Sequence, residues 1–327
     1  MKAWTVNKIG APGDVMELAE LPSPVAGPGS LHVRVLVAGI SLPEVLMCHD
    51  TYEFKPTRPF TPGHEAVGIV LDTGGSPGFE VGQRVMGVSG FIQGSGAHAE
   101  ETLLLSSASS IVPEAMTDEE AASFTIGYQT AYIGLVLRAG LREGETLLVH
   151  GAAGGTGFPA VQLGKALGAR VIAVARGAEK VAACQRDGAD CVIDSSAGDW
   201  VSAVNEAAGQ SRVDVVYDPV GGEVFNRSVE CLAYGGRLVA IGFASGEWGA
   251  IPTWQLVRQN ASIIGALAVP PDAEEAGKMA RVLSDLYETG QLTPRVSQVY
   301  AFADIPKALT ELDERRAFGK QVARVSK

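Results

Sequence analysis

A short strand, a glycine-rich loop and the start of a helix follow one another at residues 146–157, and this order restricts the fold most. The segment reads TLLVHGAAGGTG, and a helix is predicted from 158 to 167. Glycines at such a junction permit a sharp turn and let backbone amides approach a phosphate at the helix N-terminus. A glycine loop alone can be an ordinary turn, but strands and helices continue after this one, so we predict a dinucleotide-binding loop. Its predicted contacts are Ala152, which replaces the usual first glycine, and Gly154, Gly155, Thr156 and Gly157.

The segments after this loop alternate between apolar strands and helices. Such alternation predicts parallel βαβ units, and therefore a doubly wound Rossmann sheet. The first third of the chain is instead β-rich, and its first long helix is predicted to start near Thr117. A strand at 320–325 ends the tail, and we expect it to close the N-terminal sheet. The other predicted strands are 31–37, 66–71, 83–88, 170–175, 191–193, 213–217 and 237–241, and the other helices are 179–187, 272–289 and 305–315.

Composition excludes several classes of protein. A chain of 327 residues is long enough for two domains. A net charge of -11 argues against nucleic-acid binding. The four cysteines form no CxxC pair, so neither a disulfide framework nor a structural zinc site is expected. The N-terminus has no signal-peptide pattern and no run of membrane-spanning length, which predicts a cytoplasmic protein.

The residues after the strand at 170–175 bear on the choice between NAD and NADP. A carboxylate at this point would bind a ribose hydroxyl, whereas a cation would bind a 2′-phosphate. No acidic residue ends this strand, and Arg176 and Lys180 follow it. Both could also be ordinary solvated cations, and Glu179 could pair with either. We predict NADPH as the cofactor, with Arg176 and Lys180 at its 2′-phosphate.

Several ordered segments of the sequence resemble one family almost from end to end. This is the family of zinc-independent NADPH:quinone oxidoreductases, within the medium-chain dehydrogenase/reductase superfamily. The matching segments are RPFTPGHEAVGIV (58–70), GYQTAY (127–132), HGAAGGTG (150–157), VVYDPVGG (215–222), GGRLVAIGFASG (235–246), IPTWQLVRQNASIIG (251–265) and ERRAFGK (314–320).

The resemblance implies an α/β protein with two domains. A GroES-like, β-rich catalytic domain would comprise residues 1–118 and 266–327, and a Rossmann NADPH-binding domain would comprise residues 119–265. It also implies a homodimer joined through the nucleotide domains. Further cofactor contacts implied by matching positions are Thr130, Val220, Phe243, Ser245 and the backbone of Leu267.

The resemblance also gives candidates for the acceptor site. Tyr52 matches a tyrosine beside the substrate and is the candidate proton donor, although an isolated tyrosine is more often an aromatic wall. Ser41 stands where the family commonly has asparagine, and it can donate and accept a hydrogen bond. Tyr128 is a lesser pocket candidate. Ser195 replaces a tyrosine that often lies beside the cofactor phosphate.

A metal site is not expected. His64 and Glu65 resemble part of the zinc pattern of alcohol dehydrogenases, but cysteines are absent near Ser41 and near Ser123. The leading hypothesis is hydride transfer from NADPH to a quinone or an α,β-unsaturated carbonyl compound. The alternatives are an enoyl-thioester reductase, a zinc-type alcohol dehydrogenase, and a non-enzymatic NADPH-binding redox sensor or structural protein.

Overall fold

The computed structural model describes residues 1–316 and 318–326. Ala317, in the family-like segment 314–320, and Lys327, the last residue of the predicted catalytic domain, lie outside the described residues. The chain forms two compact units. Unit 1 contains Met1–Ile126, Pro270–Arg281 and Pro294–Lys327, and unit 2 contains Gly127–Val269 and Val282–Thr293.

Strands and helices are numbered here in chain order. The strands are β1 (Lys2–Val6), β2 (Met16–Glu20), β3 (Ser30–Ile40), β4 (Glu65–Asp72), β5 (Arg84–Ser89), β6 (Glu101–Ile111), β7 (Thr146–Val149), β8 (Arg170–Ala175), β9 (Cys191–Asp194), β10 (Val213–Asp218), β11 (Leu232–Ala240), β12 (Ser262–Gly265), β13 (Val296–Ala301) and β14 (Lys320–Arg324). The helices are α1 (Pro12–Val15), α2 (Leu42–Cys48), α3 (Asp118–Tyr132), α4 (Gly157–Ala166), α5 (Ala178–Arg186), α6 (Trp200–Ala208), α7 (Gly222–Ser228), α8 (Thr253–Gln259), α9 (Ala273–Glu288) and α10 (Ile305–Asp313).

Unit 1 is organised around β3. This strand pairs antiparallel with β4 and with β6, so β3, β4, β5 and β6 close on one another as a small barrel. Leu31, Val33 and Val35 are fully buried and alternate with more exposed residues, as a strand with one side facing a core requires. The strand predicted near the C-terminus is present as β14, which lies antiparallel to β3 with Ala323 opposite Ala38.

Unit 2 contains a six-stranded parallel sheet in the order β12-β11-β10-β7-β8-β9. Leu147 and Leu148 on β7 are both fully buried, because neighbouring residues of a strand face opposite sides and each side of this sheet is covered. The order reverses between β7 and β10, which makes this pair the topological switch point of a doubly wound sheet. The predicted Rossmann sheet is confirmed.

The long helix predicted near Thr117 is also present, as α3. Thr117 and Glu120 form a reciprocal cap in which the Thr117 Oγ1 accepts from the Glu120 N–H at 3.3 Å and the Glu120 carboxylate accepts from the Thr117 N–H at 2.9 Å. This capping box fixes the start of the helix.

Candidate functional site

The glycine loop connects β7 to α4 by a turn that only small residues permit. Gly151 adopts the left-handed backbone conformation, with φ of 55°. A Cβ atom on Gly157 would lie 2.2 Å from the Gly151 carbonyl oxygen and 2.7 Å from the Cα of Ala152. Glycine at 157 is therefore required by the close approach of the helix start to the loop.

Several backbone amides lack a protein acceptor where this loop enters α4. The N–H groups of Ala152 and Gly154 are occupied, the first by the Val174 carbonyl at 3.1 Å and the second by the Gly151 carbonyl at 2.8 Å. Within the described residues, the N–H groups of Ala153, Gly155 and Thr156 have no protein acceptor. Unpaired amides at a helix start form an anion site, so the predicted loop fits a pyrophosphate.

Three of the predicted cofactor residues lie together at the neighbouring carboxyl ends of β10 and β11. The Val220 carbonyl accepts a hydrogen bond from the Ser245 N–H at 2.8 Å. A Cβ on Gly151 would lie 3.3 Å from a Val220 methyl carbon, which places Val220 against the glycine loop. Phe243 stacks on Trp248 with ring centroids 4.5 Å apart. The loops after β7, β10 and β11 thus form one crevice edge, as expected at a switch point.

Asp218 anchors this edge, and sequence reasoning missed it. Its carboxylate accepts from the Val220 N–H at 2.8 Å and from the Gly221 N–H at 3.1 Å, and it is fully buried at the end of β10. Burial raises the pKa of Asp218 to about 6, although these two hydrogen bonds act in the opposite direction. The signal was present in the sequence, since an acidic residue ends an apolar strand in VVYDPVGG.

Thr130 and Leu267 occupy different surroundings. Thr130 is buried in α3, and the same helix approaches the glycine loop so closely that a Cβ on Gly127 would lie 2.9 Å from the Gly155 carbonyl oxygen. Leu267 follows β12 with more than half of its side chain exposed. Its carbonyl accepts from the Val269 N–H at 2.7 Å. Its own N–H has no backbone acceptor in the described part of the chain, so this group is available to a carboxamide.

The predicted phosphate cations lie after β8, next to an acidic residue that the sequence analysis did not consider. Arg176 is exposed, and Lys180 is half-buried in α5. Asp194 ends the adjacent strand β9 and accepts from the Gly177 N–H at 3.0 Å and from the Ser196 hydroxyl at 2.7 Å. These hydrogen bonds lower the pKa of Asp194, and the positive charge of Arg176 contributes in the same direction. Ser195 donates its hydroxyl to the Ala175 carbonyl at 3.3 Å.

Ser41 and Glu44 form the start of α2 in unit 1. The Glu44 Oε2 accepts from the Ser41 N–H at 2.6 Å and from the Ser41 hydroxyl at 2.7 Å, which is a capping-box arrangement. Because its proton is engaged in this way, the Ser41 hydroxyl keeps only acceptor capacity toward a ligand. Sequence reasoning expected both capacities.

His64 completes this cluster, with Tyr52 beside it. The Glu44 Oε1 accepts from both the His64 backbone N–H and its Nδ1, each at 3.0 Å. Burial opposes ionisation of Glu44, but the charge and hydrogen bond of His64 outweigh it and lower the pKa of this carboxyl to about 2. The Tyr52 ring meets the His64 ring edge-on at 6.0 Å, and Phe91 packs on the same imidazole at 3.8 Å.

The two predicted tyrosines differ in accessibility. Tyr52 is half-buried, and burial followed by the negative charge of Glu44 raises the pKa of its hydroxyl, so the hydroxyl keeps its proton. Tyr128 is fully buried and donates its hydroxyl to the Gln162 Oε1 at 2.6 Å. Its hydroxyl is a packing contact inside unit 2.

The described residues form neither a cluster of metal ligands nor a membrane-spanning helix. Between residues 1–316 and 318–326, no group of three or more His, Cys, Asp and Glu side chains is arranged to hold a metal ion. In the same part of the chain, every helix is too short or too polar to cross a lipid bilayer.

Comparison with known proteins identifies relatives along the whole chain. Residues 27–113 match the alcohol dehydrogenase GroES-like domain, and residues 155–284 match the family described as zinc-binding dehydrogenase. Quinone oxidoreductase-like protein 2 of Bos taurus is 34% identical over 304 residues, which cover 91% of this chain and 86% of the relative.

Solved structures give the same result. The Escherichia coli quinone oxidoreductase complexed with NADPH has a TM-score of 0.90 and 27% identity, covering 99% of this chain and 100% of that one. The quinone oxidoreductase of Thermus thermophilus, solved alone and with NADPH, has a TM-score of 0.79 and 32% identity over 99% of this chain and 100% of that one. The predicted fold class, a Rossmann sheet with a GroES-like domain, is confirmed. The chain is an oxidoreductase that belongs to the quinone oxidoreductase family of the medium-chain dehydrogenase/reductase superfamily.

Proposed function

We propose that this chain is an NADPH-dependent reductase that delivers hydride to a quinone or an α,β-unsaturated carbonyl compound, without zinc. The observation that carries the proposal is the loop between β7 and α4, which presents the unpaired amides of Ala153, Gly155 and Thr156 at the switch point of the sheet. The relatives complexed with NADPH support the same cofactor.

The residues of unit 2 would hold NADPH along the carboxyl edge of the sheet. The glycine loop would hold the pyrophosphate, and Arg176 and Lys180 would pair with the 2′-phosphate. Thr130, Val220, Phe243, Ser245 and the Leu267 backbone would border the rest of the cofactor. When bound, NADPH supplies the hydride, and the protein orients it and stabilises the charge that forms on the acceptor.

The chemistry of the acceptor decides how much general acid catalysis the reaction needs from the protein. A quinone that receives hydride becomes an anion that water can protonate, so it needs little acid catalysis. An enone becomes an enolate, for which a positioned hydroxyl such as that of Tyr52 is useful. The raised pKa of Tyr52 keeps this proton in place at neutral pH.

The absence of zinc from the proposed mechanism is supported by the side chains themselves. Ser41 stands where a thiolate ligand would be needed, and its hydroxyl is engaged by Glu44. The Glu44 carboxylate also accepts a hydrogen bond from the His64 Nδ1, so this nitrogen is not free to bind a metal. Metal analysis of the purified protein, followed by activity after chelation, tests this part; loss of activity on chelation that zinc restores would contradict it.

The decisive experiment is NADPH oxidation against a panel of quinones, enones and enoyl thioesters, with NADH in parallel. We expect NADPH to be preferred and quinones or enones to be reduced. Selective turnover of enoyl thioesters would instead assign the enoyl-thioester reductase alternative. Tight NADPH binding without turnover on any acceptor would favour the non-enzymatic redox sensor.

We also propose that the chain forms a homodimer through β12. This strand is the edge of the unit 2 sheet and pairs only with β11 among the described residues. Apolar side chains are exposed on it and on the segments beside it, namely Tyr234, Val257, Ile263, Leu267 and Val269. An exposed apolar edge is a template for strand pairing, and a second copy would cover it.

A further inference from the structure

His64 is a buried imidazole with one nitrogen satisfied and the other not. Its Nδ1 is 3.0 Å from the Glu44 Oε1, while its Nε2 is buried with no hydrogen-bond partner in the described chain. The His64 residue is only 3% exposed. A buried polar nitrogen without a partner destabilises the folded state, so it calls for an explanation.

The protonation of this pair follows from geometry. Glu44 accepts hydrogen bonds from the Ser41 N–H, the Ser41 hydroxyl, the His64 N–H and the His64 Nδ1, which is a set of donors that only a carboxylate accepts. The Nδ1 therefore carries a hydrogen, and the ring is held in one orientation. A carboxylate that orients an imidazole while the second nitrogen stays available is the arrangement used for proton transfer.

Among the described residues, no other base or cation takes the place of His64 beside Glu44. Lys320, the buried cation of this unit, is engaged by Glu65. His98 places its Nε2 3.1 Å from the Gly39 carbonyl, and burial lowers its pKa, which keeps it neutral. A buried carboxylate stays ionised only when a hydrogen-bonded or charged partner compensates for the loss of water. For Glu44 this partner is the His64 imidazole.

The approach to the ring is lined by aromatic side chains. Phe91 covers one face of His64 and is itself buried, whereas Tyr52 meets the ring edge-on and is half-buried. Tyr52 is the more exposed of the two, so in the proposal an acceptor would approach the Nε2 from its side. Flat, unsaturated molecules are the ligands that such aromatic walls favour.

We propose that Glu44 and His64 form a proton-donating dyad in which His64 is an imidazolium with a hydrogen on both nitrogens, held by the Glu44 carboxylate. Its Nε2–H, in place of the Tyr52 hydroxyl, hydrogen-bonds the carbonyl oxygen of an enone and protonates it. This inference rests on the proposed function. Hydride addition at the β-carbon moves the electrons of the C=C bond toward the oxygen as an enolate. The Nε2–H bond breaks as the O–H bond forms, the enol goes on to the saturated ketone, and neutral His64 recovers its proton from water. Glu44 remains a carboxylate and acts as a positioning residue.

The test replaces His64 by asparagine and by glutamine, whose side-chain amides each take the place of one imidazole nitrogen. His64→Asn keeps a group at the Nδ1 position for Glu44 and removes the Nε2. His64→Gln fills the ring volume and places an amide at the Nε2 position, which can hydrogen-bond but cannot transfer a proton. We expect both variants to reduce cyclohexenone about 100-fold more slowly than the wild type while benzoquinone reduction changes less than about threefold. Circular dichroism and NADPH affinity establish that each variant is folded.

A second measurement does not depend on turnover. Histidine labelled with ¹⁵N reports each ring nitrogen, and His64→Gln assigns the His64 signals. Adding cyclohexenone together with NADP⁺, which cannot react, should shift the Nε2 resonance of His64 and leave Nδ1 nearly unchanged. A Glu44→Gln variant should lose this shift, because the amide no longer fixes the ring.

The outcomes separate the two proposals. Equal losses with cyclohexenone and benzoquinone, no loss with either, or an Nε2 resonance that ignores cyclohexenone would each overturn the dyad. If the Nε2 resonance does not shift, the hydrogen-bond partner of the His64 Nε2 would be a buried water molecule and not the enone. Failure of the wild type to oxidise NADPH with every acceptor would overturn the proposed function, and the nitrogen measurement would still decide whether His64 contacts an enone.

Discussion

Glu65 and Lys320 lie 255 positions apart in the chain and form an ion pair that is almost completely buried in unit 1. Glu65 also accepts a hydrogen bond from the Ile126 N–H at 2.7 Å. Removing one member of a buried pair leaves an uncompensated charge, which costs more than the pair itself contributes.

We therefore expect Lys320→Met to lower the free energy of unfolding by ~3–5 kcal/mol in urea titrations. The double variant with Glu65→Gln should recover a large part of this loss, since it leaves no charge. Lys278→Ala serves as the control, because Lys278 pairs with Glu275 at the surface, where the effect should stay within ~0.5 kcal/mol. An equal loss of stability in the single and double variants would mean that the packing of these side chains, and not their charges, stabilises unit 1.

Gly157→Ala should abolish much of the NADPH binding. The added Cβ would lie 2.2 Å from the Gly151 carbonyl, so the loop must shift and its amides lose their alignment. We expect at least a roughly tenfold weaker Kd by nucleotide fluorescence, about 1.4 kcal/mol or more. Gly27→Ala is the matched control, since no atom lies within 4 Å of a Cβ at that position. Unchanged affinity for Gly157→Ala would place the nucleotide elsewhere.

The cofactor preference should depend on the two cations after β8. Replacing Arg176 and Lys180 together by alanine is expected to lower the affinity for NADPH relative to NADH by roughly 10- to 100-fold, because charge-assisted hydrogen bonds to the 2′-phosphate are lost. Arg186→Ala removes one positive charge from the far end of α5 and should leave the ratio unchanged. A preference that survives the double change would assign phosphate recognition to other residues.

Asp218 predicts a specific dependence of stability on pH. Burial raises the pKa of its carboxyl from 3.8 to about 6, so between these values the folded chain holds a proton that the unfolded chain has lost. Stability therefore falls as the pH rises through this window. Relative to Asp218→Asn, the wild type should lose ~3 kcal/mol between about pH 4 and pH 7. The difference is read from urea titrations of both proteins, and a constant difference would show that Asp218 does not titrate there.

The proposed dimer can be tested at the edge strand. Ile263→Lys places a charge on the exposed face of β12, where an approaching second copy would have to desolvate it. We expect a dimer for the wild type and a monomer for the variant in sedimentation equilibrium, with unchanged circular dichroism. Ile92→Lys, an exposed apolar position in unit 1, is the control. A monomeric wild type would refute the proposal directly.

The parallel sheet was predictable because its signals are local. The short strand predicted at the start of residues 146–157 is present as β7, and the predicted strands 170–175 and 213–217 differ from β8 and β10 by at most one residue. Buried parallel strands consist of short apolar runs, and glycines mark the turns between them. Strands β1, β2, β6, β12 and β13 were missed. Polar residues interrupt the apolar pattern of β1, β2, β6 and β13, and β12 has only four residues.

The candidate site was predictable in part for a similar reason. The glycine loop and Val220 belong to contiguous motifs, whereas the contact of Glu44 with His64 joins residues 20 positions apart through a turn that no periodicity describes. Asp218 and Asp194 were overlooked because an acidic residue at a strand end does not by itself reveal that its oxygens bind the following loop. The hydrogen-bond partners of these acidic residues therefore became known only from the structure.

Strand β14 occupies an interior place in the sheet of unit 1, between β13 and β3. During synthesis, β3 leaves the ribosome long before β14, its partner at residues 37–40. The backbone groups at the carboxyl end of β3 therefore stay unpaired on that side until β14 is made. The strands of the parallel sheet all lie between 146 and 265 and have every neighbour available earlier. Vectorial synthesis should therefore finish the parallel sheet first, and the unpaired edge of β3 is the segment that a chaperone would have to shield until β14 has been synthesised.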